Sequence, residues 1–267
     1  MDYTAAVPQA AVLTSILQRL PAHLSGALFS AMAQPDHSYP KLLSLAVHEL
    51  RTPASVVSGY LRMLQRDRDS PLSERQRRMI DEAEKSCARM VALIAELSEV
   101  VKLDAGLIAM SRQPLDLFPL AAGVVSGVHA SEDREVHLRV DGTASGASLA
   151  GDAPRLQQAL HSIFRAVLRE TAGPASVVAD RRIVGSGPQR AAVIVIAEAG
   201  RVHGAYDEPR GEFDEKRGGL GLELPLARRI IEAHGGRVWS PAGAGSDGDS
   251  DTPAARGAAV ISLPLSG

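Results

Sequence analysis

Residues 43–64 read LSLAVHELRTPASVVSGYLRML, and the spacing of their apolar positions decides the first half of the fold. Leu43, Val47, Leu50, Ala54, Val57, Leu61 and Leu64 step by four and three, which draws one seam along an α-helix. His48 lies one residue off that seam, on its exposed shoulder, so it is not a core histidine. An imidazole nitrogen is a usable nucleophile near neutral pH, and an adjacent carboxylate orients the ring or accepts its proton as phosphorus is attacked. Glu49 is that carboxylate. Thr52, four residues on, shares the helix face of His48 and offers a hydroxyl to position a water. Pro53 has no amide hydrogen and crowds the carbonyl of Glu49, so a bend is expected just past the nucleophile. His48, Glu49 and Thr52 are the candidate catalytic residues; the competing reading is a solvated surface histidine.

The helix is expected over 40–66, ended by a loop containing Asp67, Asp69, Ser70 and Pro71. Ser73 caps the next helix, with Gln76 reaching back to complete a capping box. Its seam is Ala83, Cys87, Met90, Ile94, Leu97 and Val101. Two seams joined by a short loop make an antiparallel helical hairpin. A two-helix unit leaves part of each stripe bare, so pairing with a second copy into a four-helix bundle is expected. The alternative is packing on the rest of the chain.

With 267 residues and 45% hydrophobic content, the chain is long enough for two modest domains. Apolar runs fall short of the roughly 18 to 20 residues that cross a bilayer, and Asp2 stands where a secretory signal carries basic charge. A soluble, cytoplasmic protein without a membrane span is expected. A net charge of −2 gives no electrostatic case for nucleic acid. The single cysteine, Cys87, falls on an apolar seam and reads as a small buried hydrophobe. The expected organisation is an N-terminal extension over 1–39, of short helices or disordered, then the hairpin over 40–104 and a second domain over 105–267.

In that second domain the elements alternate. Pro114 and Pro119 bracket a short strand or linker; a helix is expected near 120–129 and a strand over 135–140. A helix capped by Asp152 follows from Ala153 to about Arg169, with Pro154 in its first turn. Strands are expected at 176–184 and 191–197, a helix at 222–233, and strands near 237–239 and 258–263, with a flexible loop over 243–252. Helices and strands mixed in this way give a two-layer α/β sandwich, so the chain as a whole is α+β.

The run His48-Glu49-Leu50-Arg51-Thr52-Pro53 resembles the H box of the histidine kinases of two-component signalling. The second domain resembles the Bergerat-type ATP-binding domain of the same family. Arg155-Leu156-Gln157-Gln158-Ala159-Leu160 is similar to the opening of its N box, and Gly218-Gly219-Leu220-Gly221-Leu222 to its second glycine box, where amides at a helix start face polyphosphate. Glu232-Ala233-His234-Gly235-Gly236 and the closing strand are similar too. The resemblance covers roughly residues 40–265. It implies phosphoryl transfer from ATP, with Mg2+, to His48 and onward to an aspartate of a response-regulator receiver domain, in a homodimer, with sensing supplied by a separate protein. Receivers would dock near His48 at exposed positions such as Ser55, Ser58 and Arg62. By the same resemblance Glu198, Gly200, Gly219, Gly221 and Ser162 are the nucleotide-binding candidates.

The departures point elsewhere. The family's magnesium-holding asparagine falls at Ala166, whose methyl cannot ligate the ion, and its other characteristic asparagine at Ser162. Glu198 replaces an aspartate, and Val202 a glycine. The segment between Gly200 and Gly218 is short for a lid, with Arg201, Arg210, Lys216 and Arg217 as candidate phosphate contacts. These losses motivate a second reading: an ATP-independent histidine phosphotransferase, or a pseudokinase scaffold.

Overall fold

The computed structural model describes residues 39–67, 71–128, 135–219, 221–242 and 257–266. The expectations for residues 1–38 and for the loop over 243–252 lie outside the described residues. The chain divides into two units between Ala105 and Gly106.

The first unit contains α1 (Tyr39–Arg66) and α2 (Glu74–Asp104). Contacts running from Gln65–Asp81 through Arg62–Glu84 to Ala54–Cys87 rise along one helix as they fall along the other, so the pair is antiparallel. Ser73 and Gln76 close the expected capping box: the Ser73 hydroxyl accepts from the Gln76 amide at 3.3 Å and Gln76 Oε1 accepts from the Ser73 amide at 3.0 Å. Cys87 is buried and its thiol donates to the Ala54 carbonyl at 3.2 Å. Helix α1 is continuous through Pro53.

The single apolar seam read from the sequence splits in space. Val47 is 4% exposed, and Leu43, Ala54 and Leu61 are half-buried, but Leu50, Val57 and Leu64 are 53%, 48% and 47% exposed. On α2, Cys87 is buried and Ile94 half-buried while Ala83 and Met90 are exposed. Each helix thus carries a second apolar row, spaced by sevens, that its hairpin partner does not cover.

The second unit places β1 (Gln113–Asp116) antiparallel to β3 (Ser148–Gly151), with α3 (Leu117–Gly127) following β1. The strands β2 (Val136–Gly142), β4 (Ala175–Val184), β5 (Ala191–Glu198), β6 (Arg210–Gly211), β7 (Arg237–Pro241) and β8 (Ala258–Pro264) form a six-stranded sheet ordered β2-β4-β5-β8-β7-β6. Only the β2–β4 pair is parallel among the described strands. Helix α4 (Ala153–Glu170) packs on β5 and β8, and α5 (Glu223–Ala233) packs beside α4. Helix α3 starts at 117, three residues before the expected 120, because Asp116 takes the cap: its carboxylate accepts the amides of Phe118, Gly146 and Ala147.

Strand alternation gives the sheet two apolar faces. Val178, Val193, Val195, Ala197, Ala258 and Val260 form one; the segment after β5 closes over it with Val202, Ala205 and Tyr206, and Trp239 of β7 packs beside them. The Tyr206 hydroxyl donates to Asp180 at 2.7 Å, and burial, then that carboxylate, push its pKa far above the ordinary value. Val202 is therefore a core residue, which explains why a glycine is not needed there.

One buried side chain ties the end of α5 to the start of α4. His234, after α5, donates from Nδ1 to the Ile230 carbonyl at 2.7 Å and accepts the Asp152 amide on Nε2 at 2.9 Å; the Asp152 carboxylate in turn caps α4 through the Arg155 amide. Both ring nitrogens are committed, so the neutral Nδ1–H tautomer is fixed by its partners. His234→Ala leaves a buried amide without an acceptor and is expected to cost about 1–3 kcal/mol. Denaturant unfolding of the purified chain should show a lowered midpoint with unchanged slope; an unchanged midpoint refutes the assignment.

Candidate functional site

Helix α1 presents its half-buried row to α2, which leaves the neighbouring shoulder, and His48 on it, in water. The His48 side chain is 77% exposed and Nδ1 lies 3.4 Å from Glu49 Oε1. That contact places the carboxylate on the Nδ1 side and leaves Nε2 on the far side of a largely exposed ring. Thr52 is exposed one turn on. Of the proposed docking residues, Ser55 is exposed, Ser58 is half-buried, and Arg62 pairs with Glu84 at 3.3 Å.

In the second unit, α4 carries Ser162, Arg165, Ala166, Arg169 and Glu170 along one face at helical spacing. A turn over Arg217–Gly219 lies against that face. Gly218 has a φ of +66°, and a Cβ built there would sit 3.0 Å from the Ala166 Cα, so only glycine fits. Arg169 donates to the Gly218 carbonyl at 2.9 Å. Arg217 is buried: its Nε donates to Glu170 Oε2 at 3.1 Å, and Nη1 to Ser240 Oγ at 3.1 Å and the Ala258 carbonyl at 2.8 Å. Glu170 Oε2 also accepts the Gly257 amide at 3.0 Å. Arg217 is thus a structural cation, correcting the expectation that it contacts phosphates. Arg210 stacks over Trp239 at 4.6 Å.

The turn leads into α5, whose first residue, Glu223, reaches back to α4. Its carboxylate accepts from Arg165 Nη1 at 3.1 Å and from Ser162 Oγ at 3.4 Å. His161, beside this pair, is held below its ordinary pKa by partial burial and then by the Arg165 charge, with Glu223 opposing. Glu198 and Gly200 stand in an exposed turn at the end of β5, closed by the Arg201 amide on the Glu198 carbonyl at 2.8 Å; Gly219 and Gly221 are exposed on the glycine turn. Of the sequence candidates, Ser162 lies on α4 and Gly219 on the turn packed against that helix, while Glu198 and Gly200 belong to a separate turn. Arg165, Glu170 and Glu223 were not singled out from the sequence. The available signal was a carboxylate at the first position of a helix directly after a glycine turn.

Ala166 offers no oxygen to the magnesium ion that the resemblance implies, and the turn at Gly218 lies close against its methyl; the nearby oxygens are the Ser162 hydroxyl, which donates to Glu223, and the Glu223 carboxylate. Among the described residues no group of three or more His, Cys, Asp or Glu could hold a metal ion, and no helix is long and apolar enough to cross a membrane.

Residues 41–106 match the His Kinase A (phospho-acceptor) domain. The probable sensor histidine kinase TcrY of Mycobacterium tuberculosis is 29% identical over 237 residues, which is 85% of this chain and 48% of TcrY. The sensor protein GacS of Pseudomonas syringae pv. syringae is 26% identical over 216 residues, 75% of this chain and 23% of that protein. The chain thus spans about half or less of these relatives. Among solved structures, full-length ShkA in complex with AMPPNP superposes with a TM-score of 0.60 at 18% identity, over 85% of this chain and 46% of ShkA. The Acinetobacter baumannii histidine kinase AdeS gives 0.50 at 16% identity, over 82% and 98%. These two show a shared fold. With an exposed histidine on a hairpin stem, residues 41–106 carry a match to the phospho-acceptor domain of histidine kinases, and most of the chain is similar to sensor histidine kinases of two-component signalling.

Proposed function

We propose that this chain carries a phosphoryl group on His48 and hands it to an aspartate of a response-regulator receiver domain. The observation that carries the reading is the largely exposed ring of His48, with Glu49 on its Nδ1 side. As Nε2 forms its bond to phosphorus and the bond from phosphorus to the leaving oxygen breaks, the ring gains positive charge. The Glu49 carboxylate opposes that charge and takes up the Nδ1 proton. In the second transfer the receiver's carboxylate oxygen attacks, the N–P bond breaks, and the ring is restored. Thr52 positions a water for hydrolysis of the phosphorylated partner.

Adenine nucleotide is the donor that the family supports, and ShkA, a protein of the same fold, was solved in complex with AMPPNP. The missing oxygen at Ala166 favours, as a second reading, a histidine that is charged by another receiver without ATP. We further propose that the uncovered row of Leu50, Val57 and Leu64 pairs with a second copy to close a four-helix bundle, and that the stem works in the cytoplasm, where receiver domains are found.

Incubating the chain with γ-labelled ATP, and separately with a labelled phospho-receiver, should give acid-labile label that is absent from His48→Ala. Label retained in that variant, or none from either donor, defeats the proposal. Val57→Glu should convert a dimer to a monomer in sedimentation equilibrium while the helical circular dichroism persists. A dimer that survives this change places the interface elsewhere.

A further inference from the structure

On the nucleotide-domain reading, the terminal phosphates of a nucleoside polyphosphate lie where the glycine turn enters α5. The turn has the backbone for that approach: Gly218, Gly219 and Gly221 all have positive φ, at 66°, 61° and 68°. The first charged side chain after it is an acid. Glu223 reaches across to α4 and takes both donors that face it there, Arg165 Nη1 at 3.1 Å and Ser162 Oγ at 3.4 Å. Its side chain is 28% exposed and that of Arg165 34%, so the pair is partly screened from bulk water.

Two other cations near the turn are also committed to protein oxygens, Arg169 to the Gly218 carbonyl and Arg217 to Glu170, while Lys216 beside them is exposed. Pro225, in the first turn of α5, lacks an amide and removes one donor from the helix start. What remains is an anion-binding corner whose own carboxylate sits at the mouth. Resting on that same nucleotide-domain reading, we infer that Glu223 is a resident anion, filling the place of the terminal phosphates and competing with any nucleoside polyphosphate for Arg165 and Ser162. A bound polyphosphate meets like charge and has to break an existing ion pair to gain the arginine. A nucleoside without phosphates meets neither obstacle.

The test is calorimetric titration of the full chain with adenosine and with a non-hydrolysable ATP analogue, each with and without magnesium, for wild type, Glu223→Ala, Glu223→Gln and Glu223→Ala/Arg165→Ala. Circular dichroism verifies that each variant is folded. The expected result is adenosine binding that is alike in all four proteins, and analogue binding that is no tighter than adenosine in wild type. The analogue should tighten by roughly tenfold or more in both single variants and lose that gain when Arg165 is also removed. Equal analogue affinity in wild type and the single variants, with adenosine still bound, overturns the inference and leaves the nucleotide reading standing. Magnesium-dependent binding in wild type that Glu223→Gln abolishes also overturns it, by making the carboxylate a metal ligand. Failure of adenosine and analogue in every folded protein removes the nucleotide reading itself and the inference with it.

Discussion

A helix can hold a nucleophile in water only if its apolar surface is buried somewhere else, and in α1 that surface is larger than one partner helix can cover. The consequence is a stem with two rows. Val47, Ala54 and Leu61 meet α2 and fix the rotation of α1 about its axis, and that rotation is what turns His48 outward. Leu50, Val57 and Leu64 remain uncovered. The rotation of α1 that exposes the imidazole is the one that exposes the second row.

The second unit solves a different problem. It needs two helices and a glycine turn held in register, and it uses buried polar bonds to do so. His234 joins the end of α5 to the start of α4, and Arg217 joins the turn to the far end of α4 and to β8. Each of these groups is desolvated and each is paired, so each contributes to orientation more than to net stability. The first part of the segment after β5 is held by the sheet, because Val202, Ala205 and Tyr206 are built into the core cluster with Val193, Val195 and Val260.

Much of this was legible in the residues, for reasons that differ by element. The hairpin was, since the 3.6-residue period, the Ser73–Gln76 box and the single Cys87 are local signals. The long strands β4, β5 and β8 were, since their Val and Ile runs leave few alternatives. The strands β3 and β6 were not: Ser148–Gly151 and Arg210–Gly211 are too short for any period and exist only because a partner strand is present. The division of the seam was invisible as well, because a one-dimensional pattern shows that a face is apolar but not which part a neighbour covers. At the nucleotide end the loss of an oxygen at Ala166 could be read directly, whereas the role of Glu223 depends on the distance between two helices that no local spacing encodes. Arg217 was misread for the same reason: a basic residue beside glycines suggests a ligand until its carboxylate partner, Glu170, is located 47 positions away.

The knot of Arg217, Glu170, Ser240 and the amide of Gly257 has a consequence for the turn that it fastens. Four hydrogen bonds hold the start of the glycine turn against α4, β7 and β8, so the backbone there is set by the fold itself, before any partner approaches it.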